Sequence, residues 1–385
     1  MNPARKPASS RTLGVGLLGS NGHQVHRALV HLPQVRLVGV CDFAIDALPP
    51  VLQATSPTVF ADRDAMLADP RVDLVVMCSR VRAEQVDDAI TALRAGKHVY
   101  AEKPCATRVA DLDRLAAAAT AARSRGVVFR EMANTALGEP YASMAQIVRT
   151  GELGRIVHVI ARKSYRYHDR RPQDIGQRVD GGLIGQVGVH AIRMVEHVGG
   201  ERVRAVSAIH THAGNPVDRG GLHMACTLSM KLASGGLATA TADYLNARGT
   251  GTWSNDGLTI VGTAGLLQSG DNGRSTRLVV GEEDRGAIPL CADPTTHFAR
   301  LIDHLTVDAA MPWTLEDELH PTRVAVVATQ SAAHGGAWMD VDAIRREAIA
   351  VPVIRASVAA APPTRRGSRA RRVLPDDAEK GARGG

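Results

Sequence analysis

Short apolar runs alternate with amphipathic segments through the first third of the chain. Five runs predict buried strands: Leu13–Leu18, Val35–Cys41, Val72–Cys78, His98–Ala101 and Gly126–Met132. Three segments between them predict helices: His23–His31, Arg82–Ala95 and Val109–Arg123. Alternation of this kind is typical of a doubly wound parallel sheet. We therefore predict a first α/β domain over residues 12–133, preceded by a disordered N-terminus at 1–11.

The pattern changes after residue 134. Long stretches of alternating apolar and polar residues predict strands at Arg155–Arg166, Arg202–Ala213, Leu222–Leu232, Leu237–Leu245, Leu258–Gln268 and Ser275–Glu282. Helices are predicted at Glu139–Thr150, Thr295–Val307 and Thr314–His334. We predict a second α/β domain over 134–342, built on a large, mostly antiparallel open sheet. Residues 343–385 lack a core-forming pattern and are predicted to be a basic, largely disordered tail.

Composition and charge narrow the function classes. The chain is 44% hydrophobic and 22% charged, which is ordinary for a soluble globular protein, and no apolar run approaches the ~18–20 residues that span a bilayer. The basic N-terminus has no apolar core behind it, so a signal peptide is not expected. Most of the net charge of +7 lies in the arginine-rich tail, so nucleic-acid binding by the folded part is not expected.

The five cysteines are dispersed and form no C-x-x-C motif. This arrangement argues against a disulfide framework and against a cysteine-built zinc site, so no metal is predicted. A reducing cytoplasm is the expected compartment.

The residues between the first two predicted strands have a nucleotide-binding context. Leu13–Leu18 is followed by Gly19-Ser20-Asn21-Gly22, a predicted helix, a second strand and then Asp42. Backbone N–H groups of such a turn can hold a pyrophosphate, and an acid about 20 residues later can bind the ribose hydroxyls. The G-x-G-x-x-G pattern is imperfect because Asn21 and Gln24 replace glycines. A tight turn that binds no ligand, and a turn role for Asp42, are the alternatives.

Glu102, Lys103 and Pro104 follow the strand His98–Ala101. The carboxyl ends of strands in an open α/β sheet are where ligands bind, so Lys103 is a candidate for chemistry. Pro104 pushes Lys103 out of helical geometry. The alternative is a solvated loop lysine with Glu102 as its surface partner.

Five stretches, in order, resemble the Gfo/Idh/MocA family of glucose–fructose oxidoreductase, inositol dehydrogenase and the rhizopine-catabolism protein. They are VGLLGSNGHQVH, DLVVMCSRVRAEQVDDAITALRAGKHVYAEKP, TGELGRIVHV, GGLIGQVGVHAIRMVEHVGG, and HFARLIDHL with PWTLEDE. The resemblance implies an N-terminal Rossmann domain and a C-terminal substrate and oligomerisation domain. It implies nicotinamide-dependent oxidation or reduction of a sugar or cyclitol hydroxyl by a homo-oligomer, a dimer or tetramer.

The resemblance also assigns site residues. Lys103 takes the position of the family's lysine and His190 that of its histidine, whereas Gln186 stands where the family has an aspartate. An imidazole can take the hydroxyl proton and a lysine can donate to the oxygen. The alternative for His190 is a core histidine, but Gly181, Gly182 and Gly188 around it favour a site. The implied cofactor-binding residues are Gly19, Ser20, Asn21, Gly22, Asp42, Ser79, Arg80, Glu102 and Lys103, and Asp42 predicts NAD in preference to NADP.

Departures from the family pattern keep other functions open. Glu84 stands where a histidine is common, Arg80 where a proline is common, and Thr135 and Ala136 where an arginine is common. One alternative is a non-catalytic NAD-binding sensor or regulator of the same fold, and another is a glycosidase that retains NAD. Tyr165, Tyr167 and His168 are candidate pocket residues, with exposed strand positions as the alternative.

Overall fold

The computed structural model describes residues 12–166, 177–217, 220–290 and 295–343 of the 385-residue chain. Its first sheet has six parallel strands: β1 Leu13–Leu18, β2 Val35–Cys41, β3 Thr58–Val59, β4 Leu74–Met77, β5 His98–Ala101 and β6 Phe129–Glu131. Their order across the sheet is β3-β2-β1-β4-β5-β6. Because the strand order reverses between β1 and β4, a crevice opens at the carboxyl edge of these strands.

Five helices follow these strands: α1 His26–Leu29, α2 Pro50–Gln53, α3 Arg63–Ala68, α4 Gln85–Arg94 and α5 Val109–Arg123. Strand β4 is buried along its whole length, as expected for a parallel sheet covered on both faces. Ile90 of α4 and Leu115 of α5 pack on one face of the sheet, in one core with Val75 and Val99. Leu29 of α1 packs on the other face.

The second sheet has nine strands, in the order β14-β13-β12-β11-β7-β10-β9-β8-β15. Their bounds are β7 Ile156–Ser164, β8 Val203–Thr211, β9 Ala225–Leu232, β10 Leu237–Asp243, β11 Gly257–Gly262, β12 Gly265–Gly270, β13 Ser275–Val280, β14 Glu283–Gly286 and β15 Met339–Asp340. Strands β7 and β10 pair in parallel, and the other described neighbours pair antiparallel. The predicted fold class is therefore confirmed.

Five further α-helices lie in the described part of the chain after β6: α6 Tyr141–Thr150, α7 Gln177–Asp180, α8 Val189–Arg193, α9 His297–Val307 and α10 Leu315–Ala333. Helix α8 is flanked by π-helical turns at Ile184–Gly188 and Met194–Val198. Met144 of α6, Ile192 of α8 and Val324 of α10 share one core with the inward side chains of the sheet. The opposite face of the sheet is open, with Ile160 45% and Ile209 60% exposed.

Helix α9 packs on the first sheet although it lies near the end of the described chain. Phe298, Leu301 and Ile302 of α9 join Val15 and Tyr100 in one core. The amphipathic pattern of this segment predicted the helix but not the sheet that it covers. The domain bounds at 133 and 342 stay predictions.

Two predicted elements are wrong. The helix predicted at His23–His31 is the four-residue α1, because Glu102 binds both the backbone N–H and the ring of His23 and holds this residue in the preceding turn. The strand predicted at Leu258–Gln268 is a hairpin of β11 and β12, because the chain turns at Thr263 and Ala264, whose N–H groups donate to the carbonyls of Arg155 and Leu153 just before β7.

The remaining long elements lie where the pattern predicts them, within a few residues at their ends. The short elements α2, β3, α3 and β14 were not predicted, since none of them is long enough to show a period. The predicted disordered N-terminus and basic tail lie outside the described residues, apart from residue 343. Among the described residues, no helix combines the length and apolarity needed to cross a membrane.

Candidate active site

The turn after β1 lies at the crevice and binds both neighbouring strands. Gly19 donates its N–H to the carbonyl of Cys41 at the end of β2, and Asn21 donates its N–H to the carbonyl of Cys78 beyond β4. The Asn21 amide also donates to the carbonyls of Arg80 and Val179, so the turn contacts the helical segment Gln177–Asp180, which lies between β7 and β8 of the second sheet. Asn21, which replaces a glycine of the expected pattern, thus has a structural role.

Glu102 lies beneath this turn and is fully buried. It accepts hydrogen bonds from the N–H of His23 at 2.8 Å and from His23 Nδ1 at 2.8 Å. Gly22 has φ of +139°, and a Cβ there would lie 2.4 Å from Glu102 Cγ, so this position needs glycine. Burial acts to raise the pKa of Glu102, but the charges of His23, Lys103 and Arg82 outweigh burial and bring it to about 2. Glu102 is therefore a buried carboxylate, and the surface-partner alternative is wrong.

Lys103 is also buried, at 1% exposure, so it is not a solvated loop lysine. Its Nζ donates to the backbone carbonyl of Gln186 at 2.6 Å and to Gln186 Oε1 at 2.8 Å, and lies 4.0 Å from Glu102 Oε1. The bond from Lys103 to Pro104 is cis. A Cβ at Gly181, where φ is +92°, would lie 2.7 Å from Pro104 Cγ, so glycine here lets the second domain approach the lysine loop.

His190, on α8, faces the same cleft and is 7% exposed. Its Nδ1 lies 2.7 Å from the hydroxyl of Thr135, and its Nε2 is buried without a hydrogen-bond partner among the described residues. Burial, followed by the charges of Lys103, Lys163, Arg193 and His23, lowers the pKa of His190 well below 6.5. We define Lys103, Gln186 and His190 as the reactive cluster, and its neutral imidazole can accept a proton.

A second buried lysine contributes to this cleft and was missed in the sequence. Lys163, near the end of β7, forms an ion pair with Asp256, and its Nζ lies 5.2 Å from the ring centre of Tyr165. The Tyr165 ring lies 6.0 Å from that of His190, so Tyr165 does line the cleft. Alternation along β7 showed that residue 163 faces inward, and that signal could have identified Lys163. Tyr167 and His168 lie outside the described residues.

A buried ion pair between Glu131 and Arg193 lies next to the reactive cluster. Glu131, at the end of β6, accepts from Arg193 of α8, from the backbone N–H of Cys105 at 2.7 Å and from the Thr322 hydroxyl of α10. Arg193 and Glu131 are both fully buried. We call Glu131, Arg193 and Thr322, with the Cys105 N–H, the support cluster. Through Glu131, this cluster joins two parts of the site. One is Cys105, two residues after Lys103, and the other is Arg193, three residues after His190 on α8.

The other predicted cofactor residues lie along the crevice with different exposure. Ser20 and Asp42 are exposed, and Asp42 follows β2 beside the turn. Arg80 is exposed, and its carbonyl accepts from Asn21. The Ser79 hydroxyl donates to Asp88 Oδ2 at 2.7 Å and is therefore already engaged.

The six-stranded parallel sheet, the turn at its strand-order reversal and the adjoining lysine–histidine site define a two-domain dinucleotide-binding protein. Residues 11–130 match the family model described as the Gfo/Idh/MocA oxidoreductase family, NAD-binding Rossmann fold, and residues 141–268 match the model of its C-terminal domain. The chain belongs to the Gfo/Idh/MocA oxidoreductase family.

Named relatives agree with this membership. A dTDP-3,4-didehydro-2,6-dideoxy-α-D-glucose 3-reductase of Streptomyces violaceoruber is 30% identical over 51% of this chain and 63% of its own length. A myo-inositol 2-dehydrogenase of Thermotoga maritima is 25% identical over 59% of this chain and 66% of its own. The matches thus span just under two thirds of these relatives. The WlbA dehydrogenase of Bordetella pertussis, solved with NADH and UDP-GlcNAcA, superposes with a TM-score of 0.68 at 20% identity, over 86% of this chain and 99% of that one.

The residues of the crevice fit the nucleotide that the family description names. The turn between β1 and α1 leaves Ser20 and Gly22 exposed at the strand-order reversal, where a pyrophosphate would lie. Asp42 places an exposed carboxylate at the end of β2, where ribose hydroxyls would lie. One correction concerns the helix and the turn: α1 has four residues, so it presents no long helix N-terminus, and four N–H groups of the turn region already donate within the protein, those of Gly19, Asn21, Gly22 and His23.

Proposed function

We propose that the protein is a nicotinamide-dependent oxidoreductase that transfers hydride to or from the hydroxyl carbon of a sugar or cyclitol. The observation that carries this proposal is the reactive cluster itself. A buried lysine and a buried neutral histidine with one unpaired ring nitrogen meet at the carboxyl edge of the nucleotide-binding sheet. The names of the Streptomyces reductase and the Thermotoga dehydrogenase supply the substrate class.

Each residue of the reactive cluster has a distinct role in this proposal. His190 Nε2 accepts the hydroxyl proton during oxidation and returns it during reduction, since burial and the charges of the neighbouring lysines keep the ring neutral. Lys103 donates to the substrate oxygen and stabilises negative charge on it. Gln186 holds the lysine in place by accepting from its Nζ. Nicotinamide, when bound, supplies the hydride chemistry.

We further propose that NAD is preferred to NADP. The exposed carboxylate of Asp42 can accept hydrogen bonds from both ribose hydroxyls, and it would repel a 2′-phosphate. Arg80 is the exposed cation that could oppose this preference.

We also propose a homo-oligomer in the cytoplasm. The open face of the second sheet, with exposed Ile160 and Ile209, supports self-association. The free, buried state of Cys41, Cys78, Cys105 and Cys226 fits a reducing compartment. Size-exclusion chromatography with light scattering tests the first point, and a monomer at working concentration would contradict it.

One assay tests the activity. The full-length protein is incubated with NAD and a panel of sugars and inositols, and the absorbance of reduced cofactor is followed. Net reduction with at least one substrate, and its loss in Lys103→Ala, is the expected result. Glycoside cleavage without net reduction would indicate the glycosidase. Tight NAD binding without turnover would indicate the sensor, a reading that the missing carboxylate at Gln186 favours.

A further inference from the structure

His23 directly follows the turn Gly19–Gly22, and its side chain points toward the carboxylate of Glu102. Its Nδ1 lies 2.8 Å from Glu102 Oε1 and 3.0 Å from Oε2. Because Glu102 is fully buried and ionised, it accepts a hydrogen, so Nδ1 carries the N–H and Nε2 is the nitrogen left for exchange. The side chain is 54% exposed.

The same ring lies next to the buried histidine of the reactive cluster. The centroids of the His23 and His190 rings are 6.1 Å apart, in an edge-to-face arrangement. Where two ring nitrogens are too far apart for a direct hydrogen bond, a bridging water molecule serves nearly as well. His190, whose Nε2 has no partner among the described residues, thus has a partly exposed imidazole as its neighbour.

We propose that His23, oriented by Glu102, carries protons between His190 and the solvent. This inference rests on the proposed function, since the proton in question is that of the substrate hydroxyl. During oxidation the substrate O–H bond breaks and an N–H bond forms at His190 Nε2. That N–H bond then breaks as one forms at His23 Nε2, and the proton finally passes from His23 to water. Both rings return to their neutral state, and reduction uses the reverse sequence.

Other groups around His190 do not offer this route. The charged groups that face it are Lys103, Lys163, Arg193 and His23, and the first three are 9% exposed or less. Lys103 donates to both oxygens of Gln186, and Lys163 is paired with Asp256. Glu102 is fully buried and remains ionised because His23, Lys103 and Arg82 hold its pKa at about 2 despite burial. His23 is the one group of this set that reaches the solvent.

The substitution His23→Asn tests the relay. The asparagine amide can keep a hydrogen bond to Glu102 but has no titratable group, so folding and NAD affinity should stay within about twofold. In a dilute, bulky buffer, kcat should fall about tenfold or more, and added imidazole should restore it, because a small base replaces the missing ring. His23→Gln, which also cannot titrate, should behave alike. The control His31→Asn, at an exposed histidine outside the site, should change neither quantity.

A nuclear magnetic resonance titration of the imidazole C–H signals gives a second readout without substrate. Since positive charge on His23 lowers the pKa of His190, His23→Asn should raise the midpoint of the His190 signal. Two results in an enzyme whose wild type turns over would overturn the relay alone. One is an unchanged His190 midpoint in His23→Asn, and the other is a loss of kcat in His23→Asn that imidazole does not restore. A wild-type protein without turnover on the whole panel would overturn the proposed function and the relay with it.

Discussion

The reactive cluster and the support cluster each have a member on α8, His190 and Arg193, which lie within one helical turn of each other, but the charged groups of the two clusters have different partners. In the support cluster, Glu131 neutralises Arg193, and both carboxylate oxygens accept hydrogen bonds. In the reactive cluster, the charge of Lys103 lies within hydrogen-bond distance of the neutral oxygens of Gln186 and 4.0 Å from Glu102, and His190 Nε2 has no partner among the described residues.

This difference in hydrogen-bond partners distinguishes the cluster that holds the structure together from the cluster that can react. Buried polar groups are normally satisfied, and proteins violate that rule chiefly where function requires it. The support cluster joins the lysine loop to the histidine helix through an ion pair, and among its described polar atoms Arg193 Nε stays unpartnered. The reactive cluster instead leaves an acceptor, His190 Nε2, unpartnered in the cleft, and a substrate hydroxyl can donate to it.

Removing the lysine tests the reactive side most strongly. We expect Lys103→Ala to reduce kcat by about 10²–10⁴-fold with little change in NAD affinity, because the lost donor acts on the reacting oxygen. Steady-state kinetics and a nucleotide titration measure the two quantities. The control Lys97→Ala removes a lysine that binds only backbone carbonyls of Asp69 and Val72, away from the cleft. Near-normal kcat in Lys103→Ala would make the lysine structural.

Removing the negative charge of the support cluster should lower the free energy of unfolding. Glu131→Gln leaves Arg193 buried without its carboxylate, and breaking a buried pair in this way typically costs about 3–5 kcal/mol. Urea unfolding measures the change. The control Glu152→Gln breaks a pair with Arg285 whose side chains are 37% and 40% exposed, and should change stability by about 0–1 kcal/mol. Equal effects of the two substitutions would contradict the distinction between the clusters.

Adding a charge to the reactive side should move its pH profile. Gln186→Asp places a carboxylate four residues before His190, and a negative charge stabilises the imidazolium, so the pKa of His190 should rise. The acid limb of the rate in the oxidation direction should therefore shift to higher pH. Gln186→Asn, which adds no charge, should leave the midpoint in place. A fixed midpoint in an active Gln186→Asp enzyme would show that His190 is not the titrating group.

The smallest expected effect lies at the nucleotide edge, outside both clusters. Asp42→Ala should weaken NAD binding and narrow the preference over NADP several-fold, since two ribose hydrogen bonds are lost and a repulsion is removed. Paired titrations with the two nucleotides give the ratio, and Asp46→Ala, at a nearby exposed acid, is the control. Tighter binding of NADP by the wild type would contradict the role of Asp42.

The strands of the first sheet could be predicted because local pattern and tertiary burial agree there: Leu13–Leu18, Val35–Cys41 and His98–Ala101 are observed with the predicted bounds. The same agreement placed Lys103 at a strand end. Prediction failed where a distant partner decides the local structure. Glu102, 79 residues away, removes His23 from its helix. The turn at Thr263-Ala264 lacks an Asn-Gly signal, and only its flanking glycines marked it.

The site residues also divide into those that the sequence could identify and those that depend on a distant partner. His190 and Gln186 could be assigned because the resemblance fixed their positions. Glu131 and Arg193 could not be assigned, because a buried ion pair has no local signal until the partner is known, and these two residues lie 62 apart along the chain. Lys163 was missed although the alternation along β7 placed it facing inward, because its partner Asp256 lies 93 residues away.

The packing of α9 on the first sheet has a consequence for biosynthesis. Tyr100 is fully buried and contacts His297 and Phe298, so the core that begins with β1 needs a helix synthesised roughly 170 residues after β6. At roughly 5–20 residues per second, the part of that face that α9 covers stays open on the nascent chain for about 10–30 s. A fragment that stops at residue 133 keeps this apolar part exposed, and it should aggregate unless a chaperone or a separately added α9 peptide covers it.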